Sequence, residues 1–189
     1  MAQPEIQVTP LQAEVSVEEF VKTCVDIPKF YACCEACPNF QKRWSCPPFS
    51  FSVEELWASF HTLVFYGKKI HTPSDWLGQQ YSPQEMAERY RLLLAPVKEQ
   101  LLTEILNMEQ LYPGSLALSA GSCNVCGEEK CTRAEGKPCC KPEKMRYSIE
   151  SLGGDVGKSI ETYLGGNLIW ANDGQLPPHF ILLAGLLKK

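Results

Sequence analysis

Apolar residues return at three- and four-residue steps along the middle of the chain: Met86, Tyr90, Leu93, Leu94, Val97, Leu101, Ile105 and Met108. That spacing paints one stripe along a long helix, and such a stripe faces a core rather than a cofactor. Ser82-Pro83-Gln84-Glu85 starts it with a cap, a proline at the first helical position and a glutamate at the third. Pro113-Gly114 ends it, and Pro96 kinks or divides it. A shorter stripe, Val17, Phe20, Val21 and Cys24, follows a Ser16/Glu19 capping box and stops before Pro28. Ser52 and Glu55 repeat the box ahead of Leu56, Trp57 and Phe60. Asp155 opens a helix with Val156, Ile160, Tyr163 and Leu164 on its apolar face, closed by Gly165-Gly166.

Strands are expected at Leu63 to Tyr66, extending towards Ile70, at Ser115 to Ala120, at Asn167 to Ala171 and at His179 to Leu187. Asn172-Asp173-Gly174 reads as the turn between the last two. Residues 1–15 are polar with two prolines, and read as an arm or an edge strand. The order predicts an α+β fold: a single sheet of about four strands with helices packed on it, and two cysteine-rich metal-binding loops. One domain over 1–189 is expected, with 1–15 as an N-terminal arm.

The cysteines change this ordinary picture. Gly121 to Met145 holds Cys123, Cys126, Cys131, Cys139 and Cys140, a C-x2-C-x4-C-x7-C spacing with one more cysteine after it. A C-x-x-C pair brings two thiolates to one metal from a tight turn, and two further cysteines close a four-sulfur shell. Gly121, Gly127 and Gly136 relax the backbone where the chain must wrap a small object. Earlier, Cys34 and Cys37 form a second C-x-x-C pair, with Cys33 beside them and Cys46 eight residues on. Pro38, Pro47 and Pro48 hold this segment extended, and Phe40, Trp44, Phe49 and Phe51 surround it. Cys34, Cys37 and Cys46 are expected to form a second metal group. Cys33 is the weaker candidate, because neighbours in an extended segment point to opposite sides. Cys24, on an apolar helix face, reads as a buried structural thiol.

The N-terminus lacks a basic start and an apolar run, and no stretch reaches the length of a membrane span. A reducing cytoplasm is therefore expected, where ten cysteines point to metal or redox chemistry rather than disulfides. The net charge of −4 gives no basic field for nucleic acid. Gly153 to Ser159 imitates a phosphate loop but has Leu152 where the motif needs glycine, and no strand precedes it. His61, His71 and His179 stand singly and read as structural, although His71 and His179 can approach a metal in three dimensions. Lys130, Arg133 and Lys137 read as a solvated loop. Lys141 and Arg146 flank the last cysteines, where cations favour thiolates.

The run C-x-x-C-P-N-F-x-x-R-W-S-C-P-P, followed later by G-S-C-x-x-C, G-K-P-C and R-Y-S-I-E-S-L-G-G-D-V, resembles the predicted metal-binding, cysteine-rich proteins of unknown function found in anaerobic prokaryotes. The resemblance covers about Cys33 to Ser159. It implies a cysteine-bound metal, as a [4Fe-4S] cluster, at Cys123, Cys126, Cys131 and Cys139, and it places Arg146, Ser148, Glu150, Gly153 and Asp155 in the motif without assigning them roles. Cys140 stands where arginine is expected, so either Cys139 or Cys140 can be the fourth ligand.

Irregular spacing suits a cluster better than zinc, whose ribbons usually show two C-x-x-C knuckles. The expected function is that of a cytoplasmic iron-sulfur protein in electron transfer or redox sensing, serving a redox partner protein, with no nucleic acid or membrane as partner. The alternatives are a zinc-stabilised interaction module, and an enzyme with an open iron site near Glu150 and Asp155.

Overall fold

The structure is a computed structural model and describes residues 6–127 and 131–189. Lys130, one of the loop cations, lies outside the described residues. Four strands form one antiparallel sheet in the order β1-β2-β4-β3: β1 (Val8–Ser16), β2 (Thr62–His71), β3 (Leu116–Leu118) and β4 (His179–Lys188). The helices are α1 (Val17–Cys24), α2 (Ile27–Glu35), α3 (Val53–Ala58), α4 (Pro83–Leu111) and α5 (Val156–Tyr163). The expected α+β fold with a single four-stranded sheet is what the chain adopts. No described helix is long and apolar enough to cross a membrane.

Helices cover both faces of the sheet. Alternate residues of β2 and β4 divide between them, as strand geometry requires. Leu63, Phe65, Ile181, Leu183 and Leu187 join Phe20, Trp57 and Ile160 of α1, α3 and α5 in the larger core. Val64, Ile70, Ala184 and Leu186 point the other way, against Leu93, Val97, Leu101 and Ile105 of α4. Burial on both sides is why β2 and β4 read as continuous apolar runs rather than alternating ones.

The long helix has the expected stripe and an intact capping box, with Ser82 and Glu85 bonded reciprocally. Pro96 lies inside one continuous helix and does not divide it. Ser16 and Ser52 cap α1 and α3 by accepting from the N–H of Glu19 and Glu55. Cys24 is buried on the core face of α1, as its position predicts.

Of the arm and the edge strand read for residues 1–15, the edge strand forms: β1 pairs from Val8↔Ile70 to Ser16↔Thr62. Two expectations are corrected. Asn167 to Ala171 is not a strand: Trp170 is 80% exposed, and the Asn172–Gly174 turn joins no hairpin. Its place as fourth strand is taken by β1. Pro28 does not merely end α1; it sits in the first turn of α2, which Asp26 caps by accepting from the N–H of Lys29 at 3.1 Å.

Candidate metal centre

Both cysteine groups lie where ordered elements end. The first begins on α2, so Cys33 and Cys34 are helical, not extended, and the opposite-sides argument against Cys33 does not apply to them. Successive turns then fold the segment back: Cys37 N–H donates to Cys34 O at 3.0 Å, and Cys46 N–H to Arg43 O at 3.0 Å. Cys46 is buried, Cys34 half-buried, and Cys33 and Cys37 exposed. Burial pushes the Cys34 thiol up to about 11, and the neighbouring Cys46, Cys37 and Cys33 push the same way. Burial also raises Cys46, with Cys37 adding to it. Cys46, Cys37 and Cys33 thus all lie within charge range of Cys34.

The second group hangs between β3 and the motif beginning at Arg146. Gly121, Gly127 and Gly136 all take left-handed backbone, the conformation that lets the loop curl tightly. Burial raises the Cys123 thiol, and Cys139 and Cys131 raise it further. Cys126 is pushed up to about 11 by burial, then by Cys140 and Cys131, while Lys141 pulls it down. The Cys126 and Cys140 sulfurs are 3.7 Å apart. Cys140 therefore faces Cys126, whereas Cys139 lies in charge range of Cys123.

The two groups are strapped together by side chains of the N-F-x-x-R-W-S segment. Asn39 Nδ2 donates to Ser122 Oγ at 3.4 Å. Arg43 donates to Asn39 Oδ1 at 2.8 Å and to the Cys123 carbonyl. Ser45 Oγ accepts from Cys123 N–H at 3.0 Å, and Trp44 Nε1 donates to Lys137 O at 3.2 Å. Arg133 answers from the other loop, donating to the carbonyls of Arg43 (2.7 Å), Pro48 (2.6 Å) and Cys46. Arg133 is thus a strut rather than a solvated cation, and the Arg43 and Arg133 charges both favour the Cys46 thiolate. Arg146 does not serve the thiols: it pairs with Glu109 of α4, and both side chains are largely enclosed, with relative exposures of 15% and 16%. Lys141 does sit beside Cys126 and donates to Val125 O at 3.2 Å.

The rest of the motif frames the site. Tyr147 packs edge-on against Phe49 and Phe51, with centroids 5.0 and 5.2 Å away. Gly153 has φ +82, and a Cβ there would come 2.8 Å from the Ile27 Cα, so α2 can approach only a glycine. Asp155 caps α5 by accepting from Lys158 N–H at 2.9 Å. That carboxylate occupies the helix start, and the glycines serve packing, so the phosphate-loop imitation is structural. His71 Nε2 bonds Thr9 Oγ1 at 3.0 Å and His179 Nε2 lies 3.3 Å from Asn167 O; neither contacts a cysteine.

Sequence reasoning passed over Lys98 and Glu150 as a pair. Lys98 interrupts the apolar stripe of α4 between Leu94 and Leu101, which was the available signal. Its ammonium donates to Ser122 O at 2.7 Å, and burial lowers its pKa. Glu150 Oε2 is buried without a hydrogen-bond partner, and burial raises the carboxyl's pKa while Lys98 opposes the shift.

A family model described as "Predicted metal-binding protein (DUF2284)" matches residues 21–183. The chain belongs to this family. No curated protein and no solved structure matches it. Among the described residues, no three His, Cys, Asp or Glu side chains converge tightly enough to enclose an ion. The donor chemistry nevertheless fits a thiophilic metal. Burial, and after it the neighbouring thiols, raise the pKa of Cys34 and Cys126, a penalty that a bound cation removes. The 3.7 Å Cys126–Cys140 separation is close to the edge of about 3.8 Å of a tetrahedral shell built from Zn–S bonds.

Proposed function

We propose that this family member is an iron-sulfur protein of the cytoplasm, acting in electron transfer or redox sensing for a partner protein. Cys123, Cys126, Cys131 and Cys139 hold a [4Fe-4S] cluster, with Cys140 as the competing fourth ligand. Cys34, Cys37 and Cys46 hold a second metal or cluster, with Cys33 available to complete it. Such a group would supply one-electron exchange at a potential set by its surroundings. The observation that supports this reading best is the strapping of one thiol group to the other through Arg43 and Ser45. Groups held at fixed separation suit a relay. Arg43, Arg133 and Lys141 bring positive charge to thiols that would become anionic ligands.

The test is iron, zinc and acid-labile sulfide per chain in anaerobically prepared protein. Serine at Cys123, Cys126, Cys131 or Cys139 lowers metal sharply, whereas Cys24→Ser does not. Full occupancy in any two of the four serine variants sinks the first site. A Cys34→Ser/Cys37→Ser/Cys46→Ser variant that folds and keeps wild-type metal and sulfide removes the second. One observation favours a zinc-stabilised module instead: the Cys126–Cys140 separation matches two ligands of one ion. Stoichiometric zinc without sulfide selects that alternative.

A further inference from the structure

β3 pairs with β4 only from Leu118↔Gly185 to Leu116↔Leu187. The earlier part of β4, from His179 to Ala184, is left without a described strand partner on that side. A cleft of about 500 Å³ opens there, between α4 and the uncovered stretch of β4. Its walls include Leu94, Val156 and Ile181, and Lys98, Ser122 and Glu150 also line it. The lining combines these apolar walls with a few polar groups, Arg91 and Asn124 also among them, the usual composition of a small-molecule site.

The polar groups are incompletely used. Lys98 has three N–H donors, and Ser122 O accepts one of them. Glu150 Oε2 is buried with no partner, and among the described residues Lys98 and Glu150 form no direct ion pair. A buried carboxyl oxygen without a partner is costly unless something else satisfies it. We propose that this cleft binds a small monocarboxylate with an apolar tail, its head group on Lys98 and Glu150 and its tail along Leu94 and Ile181. Burial raises the Glu150 carboxyl towards its protonated form and lowers Lys98 towards its neutral one; an anionic head group between them reinforces the first shift and offsets the second, which favours a donor on each. Paired donors beside one cation select an anionic oxygen acceptor over an amine or an alcohol.

The proposal does not rest on the metal reading. The head group would, however, lie within electrostatic range of both thiol groups, since Glu150 influences Cys34, and Cys123 and Cys46 influence Lys98. A carboxylate bound there is placed to report on, or respond to, the charge of the centre.

The experiment is calorimetric titration of the full chain, as isolated anaerobically, with straight-chain carboxylates from acetate to octanoate. Octanamide serves as the uncharged control. Affinity is expected to rise about fourfold per methylene while the tail stays within the cleft. Octanamide and the Lys98→Met variant each lose about tenfold or more. Glu150→Gln keeps binding within a few-fold, because its amide still donates. Ala95→Trp, at an exposed position of α4 that lines the cleft, abolishes binding with an unchanged melting temperature. This variant separates a filled cleft from a damaged fold. The proposal is overturned by no saturable binding up to about 10 mM, by octanamide binding as tightly as octanoate, or by Ala95→Trp binding normally. Metal content measured on the same samples keeps the two readings apart: protein lacking metal that still binds octanoate defeats the iron-sulfur proposal and leaves this one standing.

Discussion

Arg43→Met removes a guanidinium and keeps most of the side-chain length, so it tests the strap between the two thiol groups. The wild-type side chain donates to Asn39 Oδ1 at 2.8 Å and to the Cys123 carbonyl. Hydrogen bonds from a charged donor contribute about 1.5–3 kcal/mol each. The site is half-buried, and water can replace part of what is lost, so the lower end applies and the two together cost about 3 kcal/mol. For a chain of this size each kcal/mol moves the melting temperature by about 2–4 °C, giving a fall of about 6–12 °C. The Arg43 charge also favours the thiolates of Cys46 and Cys123, so both should titrate higher in the variant. Differential scanning calorimetry, with and without prior chelation, measures the first effect. The strap uses backbone and amide groups rather than sulfur, so the shift should persist after chelation. A melting temperature within about 2 °C of wild type in chelated protein would refute the reasoning.

Other consequences follow from the same geometry. Glu109→Gln and Arg146→Met should each destabilise by about 3 kcal/mol and couple strongly in a double-mutant cycle, because each leaves the other's polar group enclosed; urea unfolding reading a coupling near zero contradicts this. Gly153→Ala should cost more than about 2 kcal/mol, since it combines a left-handed φ of +82 with a backbone clash at Ile27; an unchanged urea midpoint would show that α2 can simply move. In chelated protein, Cys34 and Cys126 are raised from an ordinary 9.0 to about 11. The folded chain then holds these protons more tightly than the unfolded one, so stability is full below pH 9 and falls as pH rises towards about 11. Urea midpoints at about pH 8 and about pH 10 measure it, and a midpoint that rises with pH reverses the sign.

The long-period features were legible from residues alone. The α4 stripe, its Ser82 start and the doubly buried β2 and β4 runs each carry their signal within a short window. What was missed depends on distant partners. Asn167 to Ala171 has strand composition, but it pairs with no strand of the sheet and Trp170 there is left exposed. Cys33 and Cys34 sit in α2 because Asp26 and Pro28 start a helix that the cysteine spacing conceals. Asn39, Arg43, Trp44 and Ser45 reach partners 78 to 93 positions away, so no local pattern announces their roles. Arg133 looked like one more cation in a basic loop, and only the carbonyls of Arg43, Cys46 and Pro48 define it as a strut.

The straps also connect the metal question to the fold. Asp26 N–H donates to Gly153 O at 2.8 Å, and Asp155 N–H to Cys24 O at 2.7 Å, so the segment ending in Asp155 is tied to both α1 and α2. The first thiol group leaves α2 directly, while the second is entered from β3 and left through Arg146, which Glu109 holds against α4. The two groups are thus anchored to different helices, α2 and α4, and Arg43, Ser45 and Arg133 join the two anchors. A metal bound by either group stabilises the folded chain by its preference for the folded state over the unfolded one. Because the straps run through the main chain of Cys123 and Cys46, part of that stabilisation is shared with the opposite group. Loss of a thiol ligand on one side should then loosen the other, even where no sulfur of the two groups is in contact.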